Sequence, residues 1–541
     1  MGAFRVSAAT RGTAWRLALA VFLVYAITGG GRIVGSDEVT MFELSRALLH
    51  GRIAVPEGAT LTGPDGRAYT KNAVFQAVTA LPLVGLSELA SGVVHDPVRR
   101  MLASRFGGSF FNAFVTALML GLFYITARYL AVSPRRSLAA TVLLGFSTPV
   151  WVYAKSFMAE PLQGLGLLLA LAGSAGALGR RSGWAAAAGV FIAVSAKLSM
   201  LPLAAAVSLV SIGRAPEPGR RGVLASPFLA SVLGFTAALA GHAVYNVARF
   251  GNPFESGYGA QATASAYTTP LLVGVYGLLL SSGKGVMWFA PALWIAAPTW
   301  LRNAIPVRFA PARSAGRESK LQVWLESLDT EARVRWGALL AAAAALLLYG
   351  RFQHWAGDGS FGPRYLLPVL PCAFLVVALA LERGSRTVRR WATVLGVLGV
   401  LVQVGGVGIY FGAQMREAGD YPYTLPLEHP RFMSDSHFNP RFTPIADHWR
   451  MLIRNGSEHL AGHAPRIGGA APDESAAPAG RLGIDAADQE RLLHALDFWW
   501  LYLEYGGVPR APVWIAVLVL KLLGLVSAVA AWRAILRETA T

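Results

Sequence analysis

The sequence predicts an all-α polytopic membrane protein with about 12 transmembrane helices. Three observations carry that expectation. Only 14% of the 541 residues are charged and 54% are hydrophobic, against about 25% charged in a soluble globular chain. Apolar runs of roughly 17 to 25 residues, long enough to cross a bilayer, recur along the chain. The basic residues fall in short loops between those runs instead of forming one patch.

A net charge of +18 would suggest nucleic-acid binding in a soluble protein. Dispersed between spans, it is the positive-inside signature, and no nucleic-acid partner is expected. The single cysteine, Cys372, lies within an apolar run, so neither an intramolecular disulfide nor a cysteine metal cluster is expected. Arg5, Arg11 and Arg16 precede the first apolar run. No small-residue cleavage site follows them, so the run reads as an uncleaved first helix.

Taken in order, spans are expected at about 14–30, 105–130, 137–153, 161–178, 184–197, 199–213, 223–247, 286–301, 336–350, 365–382, 391–411 and 512–533. Residues 73–90 are apolar too, but they hold Gln76, Pro82 and Glu88. Counted as a span, they would invert every later loop, so a re-entrant or interfacial helix is expected there. With a cytoplasmic N-terminus, the inner loops fall at 133–136, 179–183, 213–222, 302–335 and 382–390. Each holds two or more Lys or Arg residues, and Arg533 and Arg537 add to the inner tail. This agreement favours a multi-pass protein of the inner or plasma membrane with both termini cytoplasmic.

The chain then divides into a transmembrane module over 1–411, with a first outer loop at 31–104, an outer segment over 412–511, and a last span with its tail over 512–541. Within the outer segment, 461–487 is rich in Ala, Gly, Pro and Asp and reads as a flexible loop. Residues 492–505 carry Phe498, Trp499, Trp500, Tyr502 and Tyr505, which suits a helix at the lipid headgroup level.

In this topology the polar residues that look out of place collect on the outer face. Asp37 and Glu38 follow the first span, and Tyr69 and Lys71 close the same loop. Glu160 opens the fourth span; Asn246 and Arg249 end the seventh; Lys284 opens the eighth. His354, Asp358, Arg364 and Tyr365 surround the start of the tenth, and Asp447, His448 and Arg450 lie in the last outer segment. Ionisable groups at membrane depth are costly and usually line a cavity or substrate path. A carboxylate can take a proton from an attacking hydroxyl, and Arg or Lys can hold a departing phosphate.

Each residue also has an ordinary structural role open to it. Asp37 and Glu38 can cap the helix after them, and Glu160 before Pro161 can be a first-turn residue favoured by the helix dipole. Lys71, Arg249, Lys284 and Arg364 can snorkel to headgroups. Lys197, inside an apolar run, reads as a turn between two short spans. The histidines lack a zinc-ligand spacing such as HExxH. SSGKG is not a P-loop, and no GxGxxG follows a strand, which argues against a nucleotide-sugar donor on a Rossmann domain.

Four pieces occur in order on that face: SDE followed by LLHGR and GPDGRAYTKNAVFQAVTALP; MAEPL; RFGNPFESGY before SSGKGVMWFAP; and WAGDGSFGPRYLLPVLP. Together they resemble the GT-C superfamily of integral-membrane glycosyltransferases. Within it, they are similar to the bacterial branch that uses polyprenyl-phosphate sugars, akin to protein O-mannosyltransferases and lipid A aminoarabinose transferases. The resemblance runs from about residue 14 to 450. It implies a GT-C-like helix bundle and an inverting sugar transfer on the extracytoplasmic face. The implied donor is a polyprenyl-phosphate sugar, typically on undecaprenyl or decaprenyl phosphate. The implied acceptor is an envelope glycan, lipid or protein hydroxyl.

By that resemblance Asp37 matches the first-loop catalytic carboxylate, with Glu38 as its neighbour and fallback, and Glu160 matches the second acidic position. Lys71, Arg249 and Arg364 are assigned to the donor phosphate. Tyr69, Asn246, Lys284, His354, Asp358, Tyr365 and His448 are further substrate-binding candidates. No metal is required to neutralise a lipid monophosphate donor. Asp37, Glu38 and Glu160 leave Mg²⁺ or Mn²⁺ open as the alternative. The last outer segment departs from relatives that carry a folded soluble domain there, and Asp358 stands where small residues are expected. Two other classes fit parts of the pattern. One is an O-antigen-type polymerase or ligase working from Arg441, His448 and Arg450. The other is a lipid-linked-sugar transporter or flippase, which should show repeat symmetry and midplane charges.

Overall fold

The computed structural model describes residues 7–56, 60–214, 222–298, 326–357, 359–417, 437–467 and 490–540. Asp358, most of the 302–335 and 213–222 loops, and most of 461–487 lie outside the described residues.

The chain is helical almost throughout. In order the helices are α1 (Ala8–Thr28), α2 (Ser36–Leu49), α3 (Val74–Ser91), α4 (Pro97–Gly108), α5 (Phe111–Tyr129), α6 (Pro134–Phe146), α7 (Val150–Tyr153), α8 (Glu160–Ser174), α9 (Ser182–Ala196) and α10 (Leu201–Leu209). There follow α11 (Pro227–Phe250), α12 (Leu271–Leu280), α13 (Val286–Phe289), α14 (Thr330–Arg351), α15 (Leu370–Arg383), α16 (Arg386–Gly408), α17 (Phe411–Glu417), α18 (Pro444–Leu460), α19 (Trp499–Tyr505) and α20 (Arg510–Ala540). One small hairpin, β1 (Leu61–Thr62) and β2 (Ala68–Tyr69), pairs Leu61 with Tyr69 and Thr62 with Ala68.

The starts of the long helices follow from local chemistry. Ser7 accepts the Thr10 N–H, Asp329 the Ala332 N–H, and Ser385 the Val388 N–H, each satisfying a backbone donor of a first helical turn. Pro227, Pro134 and Pro444 occupy first helical positions, where a missing N–H costs nothing.

Among the described residues, seven helical stretches are long and apolar enough to cross a membrane: Val74–Ser91, Arg99–Tyr129, Pro227–Phe250, Thr330–Arg351, Arg364–Arg383, Arg386–Gly408 and Arg510–Ala540. An eighth is reached if α8 and α9, bent by 120°, count as one broken span. The polytopic all-α class is therefore as expected, while the expected spans are cut more finely. The 137–153 run breaks into α6 and α7 at Ser147–Pro149, and 286–301 opens as the short α13 followed by a 3-10 turn at Pro291–Ile295. Proline explains both breaks, because it cannot donate to the preceding turn. The 199–213 run shortens to α10, a helix forms at α12 where a loop was expected, and 73–90 forms α3, long enough to span. The aromatic stretch 492–505 is not one helix but a 3-10 turn, Leu492–His494, followed by α19.

α20 shows what membrane exposure does to a helix. Only 11% of its apolar window is buried, and Ile515, Leu518, Leu522, Leu525 and Val526 all point outward. The opposite case is α15, whose Leu370–Ala378 stretch is fully buried at the centre of the bundle. α1 and α20 pack side by side, with Thr10 donating to Glu538 at 3.0 Å. The beginning of α1 and the end of α20 thus lie together, at the end of the bundle away from Gly29 and Trp499.

α8 and α9 form a tight hairpin. A Cβ on Gly173 would stand 2.3 Å from the Ala186 nitrogen, and one on Gly189 2.1 Å from the Ala170 nitrogen. The two backbones therefore touch, as small-residue helix interfaces allow. The hairpin starts at Glu160 and returns the chain to Lys197, so both residues reach the same end of the bundle.

Candidate active site

The first loop is folded back on itself by backbone contacts. Gly35 precedes α2, and the Glu38 side chain reaches back to accept the Gly35 N–H at 2.9 Å, a capping arrangement. The other Glu38 oxygen accepts the Phe157 N–H, which ties α2 to the link before α8. Glu38 is buried; burial raises its carboxyl above the ordinary value, and the two N–H donors oppose that. Asp37, one residue earlier, is half-buried and sits 3.6 Å from the Lys71 ammonium.

The 61–72 segment is pinned from the other side. Gly63 is required there, since a Cβ would meet the Tyr69 ring at 2.5 Å and the Arg249 carbonyl at 2.6 Å. Arg249 is buried at the end of α11, donates to the Thr70 carbonyl and, at 2.7 Å, to Asn246 Oδ1, and lies 4.0 Å over the Tyr245 ring. Asn246 in turn donates to the Pro253 carbonyl at 2.9 Å. Tyr69 turns to Asp65, donating its hydroxyl at 2.7 Å. These residues hold the loop that presents Lys71.

Glu160 is buried at the first turn of α8, and its Oε1 accepts from Arg364 Nε at 2.6 Å. Its Oε2 makes no hydrogen bond among the described residues. Arg364 begins the 3-10 turn that leads into α15. Lys284, just before α13, donates to the Ser360 carbonyl at 2.6 Å and so fixes the 359–363 segment that leads into Arg364. Tyr365 stacks on Tyr349 at 4.4 Å.

Two residues outside the sequence-based site candidates join this cluster: Lys197, read there only as a turn between two short spans, and Tyr258. Lys197 places its ammonium 5.6 Å from the centre of the Tyr365 ring; burial pushes it down from its ordinary value, the Glu160 and Asp37 charges oppose that, and Arg364 and Lys71 add to it. Tyr258 lies 5.7 Å from Lys71 Nζ and 3.5 Å from Asn72 Oδ1. Burial and then the Asp37 charge raise its phenol, while Arg364 lowers it. A signal for Lys197 was present: spans at 161–178 and 184–197 return it to the same face as Glu160.

Other candidates stand apart. His354 lies edge-on to Phe352 and beside Gln353. His448 is buried in α18 against Phe361, with Nδ1 on the Pro444 carbonyl at 2.7 Å, and burial pushes its imidazole down to about 4. Among the described residues no three His, Cys, Asp or Glu side chains gather as metal ligands.

A second charged cluster adjoins the first. Asp497 is buried between Arg32, at 2.7 Å, and Lys155. Burial acts to raise its carboxyl, but Lys155 and Arg32 overcome this and hold it at about 2. Its N–H donates to the Gly408 carbonyl at 2.8 Å, and Lys155 also donates to the Val407 carbonyl at 2.6 Å. Arg32 lies 4.0 Å over Tyr502. A cavity of about 30 Å³ between Asp497 and Glu38 has room for water but not for a sugar.

No family model matches the chain, and no curated protein matches it. Over its length the structure is similar to two solved structures of ArnT from Cupriavidus metallidurans. The one in the apo state is 16% identical at a TM-score of 0.44, over 98% of this chain and 76% of that one. The one bound to undecaprenyl phosphate is also 16% identical at 0.44, over 97% and 75%.

Proposed function

We propose that the protein is a membrane glycosyltransferase that moves a sugar from a polyprenyl-phosphate carrier to a hydroxyl acceptor on the extracytoplasmic face. The observation that carries this reading is a neighbourhood of two carboxylates and three cations at one end of a bundle of lipid-exposed helices: Asp37 beside Lys71, Glu160 bonded to Arg364, and Lys197 over the Tyr365 ring. Among the described residues Arg128, Arg136 and Arg383 lie at the other end, beside Glu538, Glu382 and Glu331, which supports an extracytoplasmic site end.

In this mechanism the isoprenoid stays in the bilayer and the phosphate enters the cationic cluster. Arg364 offers its terminal nitrogens, because Glu160 engages only Nε; a planar fork suits phosphate oxygens. Lys71 and Lys197 add charge as the glycosidic bond breaks and negative charge grows on the leaving phosphate. Asp37 takes the proton of the acceptor hydroxyl, which attacks the anomeric carbon from the face opposite the phosphate and inverts it. Glu38 acts by holding the first turn of α2, and Arg249 by holding Thr70 beside Lys71. The reaction needs no metal in this scheme, since the leaving group is a monophosphate facing three cations.

The test is transfer from a panel of radiolabelled undecaprenyl-phosphate sugars into membrane acceptors. Asp37→Asn is expected to lower the rate by about 10² to 10⁴ with unchanged expression. Near-full activity in that variant overturns the assignment of the base, and activity that is lost in EDTA and restored by Mn²⁺ overturns metal independence.

A further inference from the structure

We propose that the groove between α6 and α16, at the end of the bundle away from the candidate active site, binds an anionic phospholipid. The groove encloses about 470 Å³, within the range of about 300–1,000 Å³ typical of ligand pockets. Its shape follows from residue size. α6 and α16 are in contact at one level, where a Cβ on Gly396 would come 2.4 Å from Leu143 and one on Gly399 2.6 Å from the Ser147 carbonyl. Towards the first turns of the two helices, Ala139, Ala392 and Thr393 leave an open slot. Val142, Val397 and Leu401 make its walls apolar, and Val142 and Val397 are themselves exposed. An apolar slot open to the bilayer takes a hydrocarbon chain.

The polar end selects the headgroup. Arg136 and Arg389, on the first turns of α6 and α16, line the groove. Arg389 uses Nη1 on the Gly384 carbonyl, and its other nitrogens make no hydrogen bond among the described residues. Arg135, Arg386 and Arg390, exposed, stand beside Arg136 and Arg389 at the starts of the same two helices. Glu382, the carboxylate beside them, already accepts from Arg136 and from the Ser133 N–H and hydroxyl. Glu382 meets the charge of Arg136, so Arg389 and the exposed arginines next to it in sequence leave the mouth net cationic. A phosphate without a compensating ammonium suits it, and a zwitterionic choline headgroup does not. The positive-inside reading places this mouth in the cytoplasmic leaflet, where basic pockets between helices meet anionic headgroups.

The experiment is native mass spectrometry of the full chain in detergent, titrated with phosphatidylglycerol or phosphatidylcholine of identical acyl chains. Phosphatidylglycerol is expected to be retained at about five- to tenfold lower concentration. Arg389→Gln should remove that preference. Thr393→Trp, which fills the slot from an exposed position, should lower retention of both lipids. Equal retention of the two lipids by the wild type overturns the proposal. So does unchanged retention in both variants, and so does a dimer that forms without lipid and is dissolved by Thr393→Trp.

Discussion

Two clusters of buried charge lie side by side in this protein, and they differ in how completely their members are used. In the Asp497 cluster the carboxylate is held by two cations, its backbone N–H is bonded and Lys155 also reaches neighbouring carbonyls, while Arg32 keeps its Nε unbonded among the described residues. In the Asp37 cluster, among the described residues, Glu160 keeps a buried oxygen unbonded, and the Lys71–Asp37 pair is 3.6 Å apart and partly open. A carboxylate met on both sides by cations, as Asp497 is, fixes structure. An open set is costly to bury unless a ligand completes it. The comparison separates a latch, joining the ends of α1, α7 and α16, from a site.

The sharpest way to break that distinction is Asp497→Asn. Removing the carboxylate leaves two buried cations without a counter-charge, an expected loss of about 3–5 kcal/mol, read as a lower melting temperature in detergent. Transfer per folded molecule should stay near the wild-type value; a large loss of turnover at intact stability would make the latch part of the site. Next is Arg364→Met, which should lower kcat/KM for the lipid donor by about 10²-fold. Because it also strands Glu160, the double variant with Glu160→Gln is the control: stability should return and activity should not. Recovery of activity as well would show that Arg364 acts only on Glu160.

Lys197→Met sharpens the picture at a smaller scale. The donor KM should rise about tenfold with kcat little changed, measured in a donor titration. An unchanged KM returns Lys197 to a packing role against Tyr365. The smallest expected effect is a pH dependence. His448 in the folded chain lies at about 4, below its unfolded value near 6.5. Its neutral burial therefore contributes stability above pH 6.5 that is lost as the pH falls towards 4. At pH 5.5 the loss should be about 1 kcal/mol, and His448→Gln should flatten the melting-temperature profile between pH 7 and 5. The Asp497 latch does not enter that window, since its carboxyl titrates near pH 2.

The sequence made the helical membrane class legible, because lipid exposure leaves its mark on composition: α20 is apolar almost all round. It also gathered Asp37, Lys71, Glu160 and Arg364 on one face from loop charges alone. Span lengths were less legible, because α6 and α7 read as one run although Pro149 separates them. Arg249 illustrates a further limit. Its charge suggested phosphate, while its hydrogen bonds go to Thr70 and Asn246, a choice set by packing of α11 against the first loop. Asp497 carried no local signal at all, since its partners stand 465 and 342 residues away in the chain.

The glycine-to-backbone contact between α8 and α9 has a consequence for how such a site can change. Glu160 and Lys197 sit at the two tips of one hairpin, and their separation is set by main-chain contact with no side chain in between. That hairpin is a fixed ruler between an acidic and a basic group. Substitutions in the loops can retune which acceptor or sugar is admitted without altering the ruler, whereas a single methyl group added at Gly173 or Gly189 would lengthen it.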